Sequence, residues 1–403
     1  MRKRRVLIVV QNLPVPFDRR VWLEATALQR AGYEVSVICP KARGYTKSFE
    51  LLEGVHIHRY HLPIDARGRL GFIAEFAWCF ACTLLKSVRV AVRGPGFDVI
   101  HACNPPEIYW VLARLWRLAG KRFLFDHHDL SPEMYAAKFG RNGGLLYRGL
   151  LFLERKTFET ADVVIATNES YKRIAVERGG VSPDDVFVVR SGPDLQRFRL
   201  CPPEPSWRNA KRHLLVYLGE IGEQDGVDYL IRAIKHLRDG LGRDDFHTVL
   251  VGGGPHQGTI REYADTLGVS DLCTFTGRVN DADELCRILS SADVGVIPDP
   301  KTPYSDQSTM NKVMEYMYFG LPVVGFDLRE NRWSAQDAAV YARASDERDL
   351  AEQIAALLDD PARRDQLSRR GQERVREELA WEYSVPPLLA AYDAIFQRSK
   401  GAL

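Results

Sequence analysis

The sequence predicts an α/β protein in which two parallel-sheet units follow one another along 403 residues. Three observations point there. Short apolar runs of strand length alternate with helix-period segments, and that βαβ order builds parallel sheets with right-handed crossovers. The pattern lapses over 198–212, where Pro202, Pro203 and Pro205 interrupt a stretch without periodicity, and it restarts at Leu214. The chain is also too long for one typical hydrophobic core. The expected division is a first domain over 1–197, a linker over 198–212, a second domain over 213–380 and a final helical segment over 381–403.

Val6 to Val10 reads as the first buried strand, behind the charged start Met1-Arg-Lys-Arg-Arg5. The apolar run is too short for a signal peptide, and no small-residue cleavage site follows it. Asp18 to Gly32 reads as a helix with Trp22, Ala25 and Leu28 on its core face and Gly32 as its stop. Tyr33 to Cys39 alternates into a second strand, ended by Pro40. Ligands of parallel sheets sit beyond the strand C-termini, so the loop from Gln11 to Arg20 lies at the active face. It lacks G-x-G-x-x-G, and a dinucleotide cradle is therefore not expected. Residues 70–93 form the most apolar long helix, with Lys86, Arg89 and Arg93 at its end. It reads as a core crossover helix or as one lying in a membrane interface.

Phe97 to His101 and Lys121 to Asp126 are the next strands, followed by Asn104-Pro-Pro-Glu107 and by His127-His128-Asp129-Leu-Ser-Pro-Glu133. A His–Asp pair at a strand end is open to three readings: a metal site, an acid/base pair, or structural hydrogen bonds. No further His or Cys lies at metal-ligand spacing, and no metal is expected. Leu145–Thr160 is a helix, Asp162–Ala166 a strand, Thr167–Ser170 a helix start, and Val186–Val189 the last strand before Arg190-Ser-Gly-Pro-Asp194.

In the second domain Leu214–Leu218 is a strand, Gly219 to Gly226 a loop and Val227–Leu237 a helix. His247–Val251 is a strand that ends at Gly252-Gly253-Gly254-Pro255, and Val294–Ile297 one that ends at Pro298-Asp299-Pro300. Leu285–Ala292, Leu350–Leu358, Glu373–Leu379 and Val385–Gln397 read as helices. The most informative stretch is 303–327, PYSDQSTMNKVMEYMYFGLPVVGFD. Its polar loop leads into a helix over Asn311–Phe319, which Gly320 stops before the apolar run Leu321–Phe326. A helix start beside a polar loop can hold an anion, and Lys312 in the first turn opposes the helix dipole unless it meets a phosphate. The plain alternative is a surface helix that ends on a core strand.

The composition is that of an ordinary globular protein, with 45% hydrophobic and 27% charged residues. The seven cysteines are scattered and odd in number, as suits free thiols in a reducing cytoplasm. Cys79-x-x-Cys82 has no second pair to complete a zinc site. No run of apolar residues is long enough to span a bilayer. Residues 1–200 carry 31 Lys and Arg against 20 Asp and Glu, whereas 201–403 carry 24 against 33. The basic first half fits an anionic partner such as a membrane surface, and an uneven spread over two solvated surfaces is the alternative. Nucleic acid is not expected as a partner.

Glu315 and Gly320-Leu-Pro-Val-Val324 resemble the donor-site signature of the family 4 retaining glycosyltransferases, which have the GT-B architecture. That architecture sets two Rossmann-like domains facing each other across a cleft. The family's other glutamate, eight positions earlier, falls on Gln307. Thr274–Val279 resembles the family segment that holds the nucleobase, and 190–194 its turn before the linker. The resemblance covers nearly the whole chain. It implies a retaining, metal-independent transfer from a nucleotide-diphosphate sugar (a UDP-sugar first, a GDP-sugar second) to an acceptor, with no cofactor; the charge split and residues 70–93 point to a lipid-linked or cell-envelope glycan as that acceptor. It implies an acceptor-binding first domain, a donor-binding second domain and a C-terminal helix that packs back on the first. The protein is expected in the cytoplasm or at the inner face of the cell membrane.

By the same resemblance His128 and Asp129 are the catalytic residues. Gly222, Arg190, Arg278, Val279, Gln307, Ser308, Thr309, Met310, Asn311, Lys312 and Glu315 bind the donor. Asp18, Arg19, Arg20 and Asn104 bind the acceptor, with Arg19 and Arg20 also readable as ordinary first-turn charges. Glu220 and Asp225 stand where the family has Arg and Lys, which reverses the charge expected beside a diphosphate. Two other activities therefore stay open. One is a nucleotide-sugar 2-epimerase of the same architecture; the other is a catalytically weak nucleotide-sugar-binding subunit.

Overall fold

The computed structural model describes residues 3–63, 68–140, 143–195, 199–279 and 281–397. Met1, Arg2 and Phe198, which the sequence reading includes in its opening segment and its linker, lie outside the described residues, as do 398–403 of the final segment. The chain forms two compact units, one of residues 1–136, 141–191 and 384–403, the other of 137–140 and 192–383.

The first unit is built on eight strands: β1 (Arg5–Val9), β2 (Glu34–Pro40), β3 (Phe49–Leu52), β4 (Val55–Tyr60), β5 (Val99–Cys103), β6 (Arg122–His127), β7 (Val163–Ala166) and β8 (Val186–Val188). Their order across the sheet is β3-β4-β2-β1-β5-β6-β7-β8. Every pairing is parallel except β3 with β4. The order reverses between β1 and β5, so their C-terminal ends form the crevice where such sheets take ligands. Asp18 caps the following helix, Arg19–Arg30, its carboxylate accepting the Val21 N–H at 3.1 Å. The sequence reading has no counterpart for the β3–β4 hairpin. His56, His58 and Arg59 break its apolar pattern, and Phe49 and Leu51 are exposed at the sheet edge.

The helix Gly68–Arg93 turns Cys79, Thr83, Ser87 and Val90 inward, none larger than valine, so size does not set which side chains face out. The apolar side chains Leu85, Val88 and Val92 face outward beside Arg89 and Arg93. No helix among the described residues is long and apolar enough to cross a membrane. The seven cysteines are free thiols.

The second unit has six parallel strands, β9 (His213–Leu218), β10 (Phe246–Val251), β11 (Cys273–Gly277), β12 (Val294–Ile297), β13 (Val323–Phe326) and β14 (Ala339–Ala342), in the order β11-β10-β9-β12-β13-β14. Its reversal falls between β9 and β12. Residues 199–212, expected as part of a linker, belong wholly to this unit, with Cys201 and Trp207 packed on its core. The three prolines are exposed, and Pro205 opens a short 3-10 turn, Pro205–Arg208, whose Trp207 leans on the core. The helix Asn311–Tyr318 lays Tyr316 flat against β12: a Cβ on Gly295 would stand 2.4 Å from the ring. The Tyr316 hydroxyl accepts the Leu218 N–H at 2.7 Å, which ties helix and sheet together.

Candidate active site

At the crevice of the first sheet lies a buried ion network. Arg20 meets Asp126, at the end of β6, through two bonds, Nε to Oδ2 at 2.9 Å and Nη2 to Oδ1 at 2.7 Å. Its remaining donors reach the Val189 carbonyl at 2.8 Å and the Ser191 hydroxyl at 3.0 Å, and Nη2 stands 3.2 Å from Glu24. Burial opposes the Asp126 charge, but Arg20 and His128 outweigh it and hold its carboxyl well below the usual range. Glu24 is pushed up to about 8, first by burial and then by the Asp126 charge.

His128 stands on the rim of this network with Nδ1 3.1 Å from Asp126 Oδ2. Enclosure alone lowers an imidazole. Here the Asp126 carboxylate more than compensates and lifts it to about 9. Once protonated, His128 donates Nδ1–H to Asp126 and carries a second N–H at Nε2. The neighbouring Asp129 is raised to about 6, chiefly by enclosure. Deeper down, His101 sits 2.8 Å from the Tyr392 hydroxyl, with Nε2 3.6 Å from Glu24 and 3.8 Å from Asp126. Burial keeps His101 neutral.

Asn104 spans two turns of chain at the same edge. Its Oδ1 accepts the backbone N–H groups of His128 at 2.9 Å and Asp129 at 3.1 Å. Its Nδ2 donates to the Asp129 carbonyl at 2.6 Å and to Glu107 at 2.8 Å. Of the residues expected at the acceptor, Arg20 and Asn104 are buried with these internal partners, Asp18 is the helix cap, and Arg19 is exposed.

Among the described residues, the one cluster with metal-ligand geometry is Glu24, His101, Cys103 and Asp126, whose ligand atoms lie within 4.8 Å of one another. The Arg20 guanidinium already sits against two of these carboxylates, and burial keeps the Cys103 thiol protonated. The set therefore fits a resident guanidinium, and an ion would have to expel it. His127 and His128 share no site either. His127 packs among Phe125, Phe158 and Tyr171, and burial lowers it to about 3.

In the second unit the strand ends meet backbone to backbone. A Cβ on Gly252 would stand 1.7 Å from the Gly219 carbonyl oxygen, and its φ is +139°. Only glycine lets the loops after β9 and β10 come this close. The Ile221 N–H donates to the Gly253 carbonyl at 3.1 Å, and the Gly222 N–H to Asp225 at 2.8 Å. Burial raises Asp225 to about 6. Lys312 lies in the first turn of Asn311–Tyr318, with Nζ 2.9 Å from Asp299 and 4.7 Å above the Tyr217 ring. Burial works against its charge, but Asp299 and Asp225 prevail and the ammonium persists. Glu220 forms a half-exposed pair with Arg278, at 2.9 Å. Arg278 thus offsets the Glu220 charge, and the pair is neutral.

Of the other residues expected at the donor, Ser308 and Glu315 are buried, while Gln307, Thr309 and Met310 are half-buried along the run into Lys312. Gln307 donates to the Pro303 carbonyl at 2.7 Å. Asn311 is exposed, and Val279 packs against the core. Arg190 is buried in the first unit, beyond β8. Sequence reasoning passed over Glu24, His101, Asp126, Asp299 and Tyr392. Glu24 carried a usable signal, since it falls on the same face of its helix as the core residues Val21 and Leu28.

A family model described as "Glycosyl transferase 4-like domain" matches residues 18–192, and one described as "Glycosyl transferases group 1" matches 212–360. The D-inositol 3-phosphate glycosyltransferase of Geodermatophilus obscurus is 27% identical over 363 residues, covering 84% of this chain and 75% of the relative. Among solved structures, sucrose-phosphate synthase from Thermosynechococcus elongatus superposes with a TM-score of 0.75 at 19% identity, over 98% of this chain and 100% of that one. Anabaena HepE in complex with UDP-glucose does so with a TM-score of 0.71 at 14% identity, over 97% and 99%. These likenesses carry the GT-B fold of two Rossmann-like domains, and the relatives carry glycosyl transfer rather than epimerisation or mere binding. The chain belongs to the family 4 glycosyltransferases of GT-B architecture and is an enzyme of that class.

Proposed function

We propose that this glycosyltransferase moves a hexosyl group, with retention and without a metal ion, from a nucleotide-diphosphate sugar to a glycan or lipid-linked acceptor. The observation that carries the reading is the contact of His128 Nδ1 with Asp126 at 3.1 Å, on the rim of the first sheet's crevice beside the half-buried Asp129. His128 binds through Nε2–H, and Asp129, once ionised, orients the acceptor hydroxyl. The second unit takes the donor. Lys312 and the backbone N–H groups at the start of its helix stabilise the leaving diphosphate. The bond from the anomeric carbon to the acceptor oxygen forms on the face from which the diphosphate departs, and a diphosphate oxygen takes the acceptor proton. A UDP-sugar is favoured because HepE, of the same fold, binds UDP-glucose.

The outward stripe of Leu85, Val88 and Val92 beside Arg89 and Arg93 supports an acceptor presented at an anionic membrane surface. Turnover of UDP-glucose and GDP-mannose, with and without EDTA, tests the donor class, and NMR of the product tests the anomeric outcome. UDP-sugar turnover that survives EDTA is expected, with the donor's configuration kept. An inverted product, or dependence on a divalent ion, would overturn the mechanism. Sedimentation with phosphatidylglycerol but not phosphatidylcholine vesicles is expected of the intact protein. Loss of neither binding nor its lipid preference in Arg89→Glu/Arg93→Glu would remove the membrane reading.

A further inference from the structure

We infer that Asn104 is a positioning residue for the His128–Asp129 segment and does not contact the acceptor. The inference rests on the reading of His128 and Asp129 as the reacting pair. A side-chain amide has two acceptor lone pairs and two N–H donors. All four are used inside the protein. Oδ1 takes the N–H groups of His128 and Asp129, and Nδ2 gives to the Asp129 carbonyl and to Glu107. The residue is 1% exposed, so no capacity remains for a substrate hydroxyl.

What the amide grips matters more than how many bonds it makes. The His128 N–H belongs to the peptide plane before His128, the Asp129 N–H to the plane between the two residues, and the Asp129 carbonyl to the plane after Asp129. One side chain therefore pins three successive planes, which fixes φ and ψ of both His128 and Asp129. Asp126 then sets the His128 ring through Nδ1. Backbone and ring are held by different residues.

Glu107 fixes which way the amide faces. Its Oε1 accepts both Asn104 Nδ2 and the Ser131 hydroxyl, the latter at 2.5 Å, and the residue is 3% exposed. The three-residue spacing in Asn104-Pro-Pro-Glu107 brings the two side chains together, and Ser131 opens the helix Ser131–Phe139. Aspartate at 104 would keep the two accepted bonds and lose both donated ones. It would also face a second oxygen toward Glu107. Alanine would lose all four.

The test compares wild type, Asn104→Ala, Asn104→Asp and the swapped pair Asn104→Asp/Glu107→Gln by amide hydrogen exchange and by turnover of UDP-glucose. Asn104→Ala is expected to speed exchange at His128 and Asp129 by about tenfold while exchange in β1 stays unchanged. It is expected to lower turnover by about a hundredfold with little change in KM for UDP-glucose. The swapped pair restores a donor opposite an acceptor, and it is expected to recover turnover lost in Asn104→Asp, which loss of packing alone cannot produce. Unchanged exchange at both amides in Asn104→Ala overturns the clamp. Faster exchange with full turnover overturns its bearing on the reaction. If Asn104→Ala does not fold, the swapped pair decides by the same readouts. A wild type that turns over no UDP-glucose counts against the donor reading, while exchange still decides the clamp.

Discussion

In the first unit the charges lie inside and are joined side chain to side chain, from Arg20 through Asp126 to His128. In the second, the strand ends are joined backbone to backbone, and charge enters at few points: Lys312 with Asp299, and the half-exposed Glu220–Arg278 pair. The difference fits the two tasks proposed for the units. A group that must stay protonated, or nearly so, needs a low-dielectric setting with fixed counter-charges. A surface that takes up a polyanion needs N–H groups and room for close approach, which side chains would obstruct.

The largest expected effect breaks the first arrangement at its rim. In the proposed roles Asp129 acts ionised and His128 protonated, so kcat/KM should rise with pH near 6 and fall near 9. His128→Ala should cost about a hundredfold to ten-thousandfold in turnover. Asp126→Asn should move the alkaline limb to lower pH, and a pH–rate profile in which that limb stays put would detach Asp126 from His128. Next in size is stability. Removing Arg20 as Arg20→Met leaves Asp126 buried without its partner, and urea denaturation should show a loss of about 3–5 kcal/mol. Arg278→Met removes an exposed partner and should cost about 1 kcal/mol or less. Equal losses would erase the contrast between the units.

The smallest effect concerns Asp225, which burial raises to about 6. Ionised, it repels a diphosphate; protonated, it does not. UDP affinity by calorimetry should therefore improve severalfold as pH falls through that range. Asp225→Asn should bind as tightly at pH 7.5 as at pH 5.5 and still accept the Gly222 N–H. An unchanged pH dependence in the variant would assign the effect to another group.

These predictions also mark what the sequence could and could not disclose. Local signals were readable. The core strands β1 and β9 lie within a residue or two of their apolar runs, and Gly320 does end the helix before β13, at φ +72°. The acidic core was not readable. Glu24, His101 and Asp126 come from a helix and two strands, and only the sheet order of β1, β5 and β6 brings them together. Helical spacing puts Glu24 on the face of Val21 and Leu28, where it is fully buried, but spacing does not say which charges it meets there. Asn104 was singled out, yet its three bonds to His128 and Asp129, chain far from it in sequence, cannot be inferred from its own neighbours.

The packing of Tyr316 on Gly295 carries a consequence for how this protein can diverge. Any side chain at 295 would enter the space of the aromatic ring, and a smaller residue at 316 would leave both a void and an unbonded Leu218 N–H. Neither position can change first without loss, so the two are locked as a pair. Relatives that have escaped the lock should show it as a joint replacement, an alanine or larger residue at 295 together with a non-aromatic one at 316.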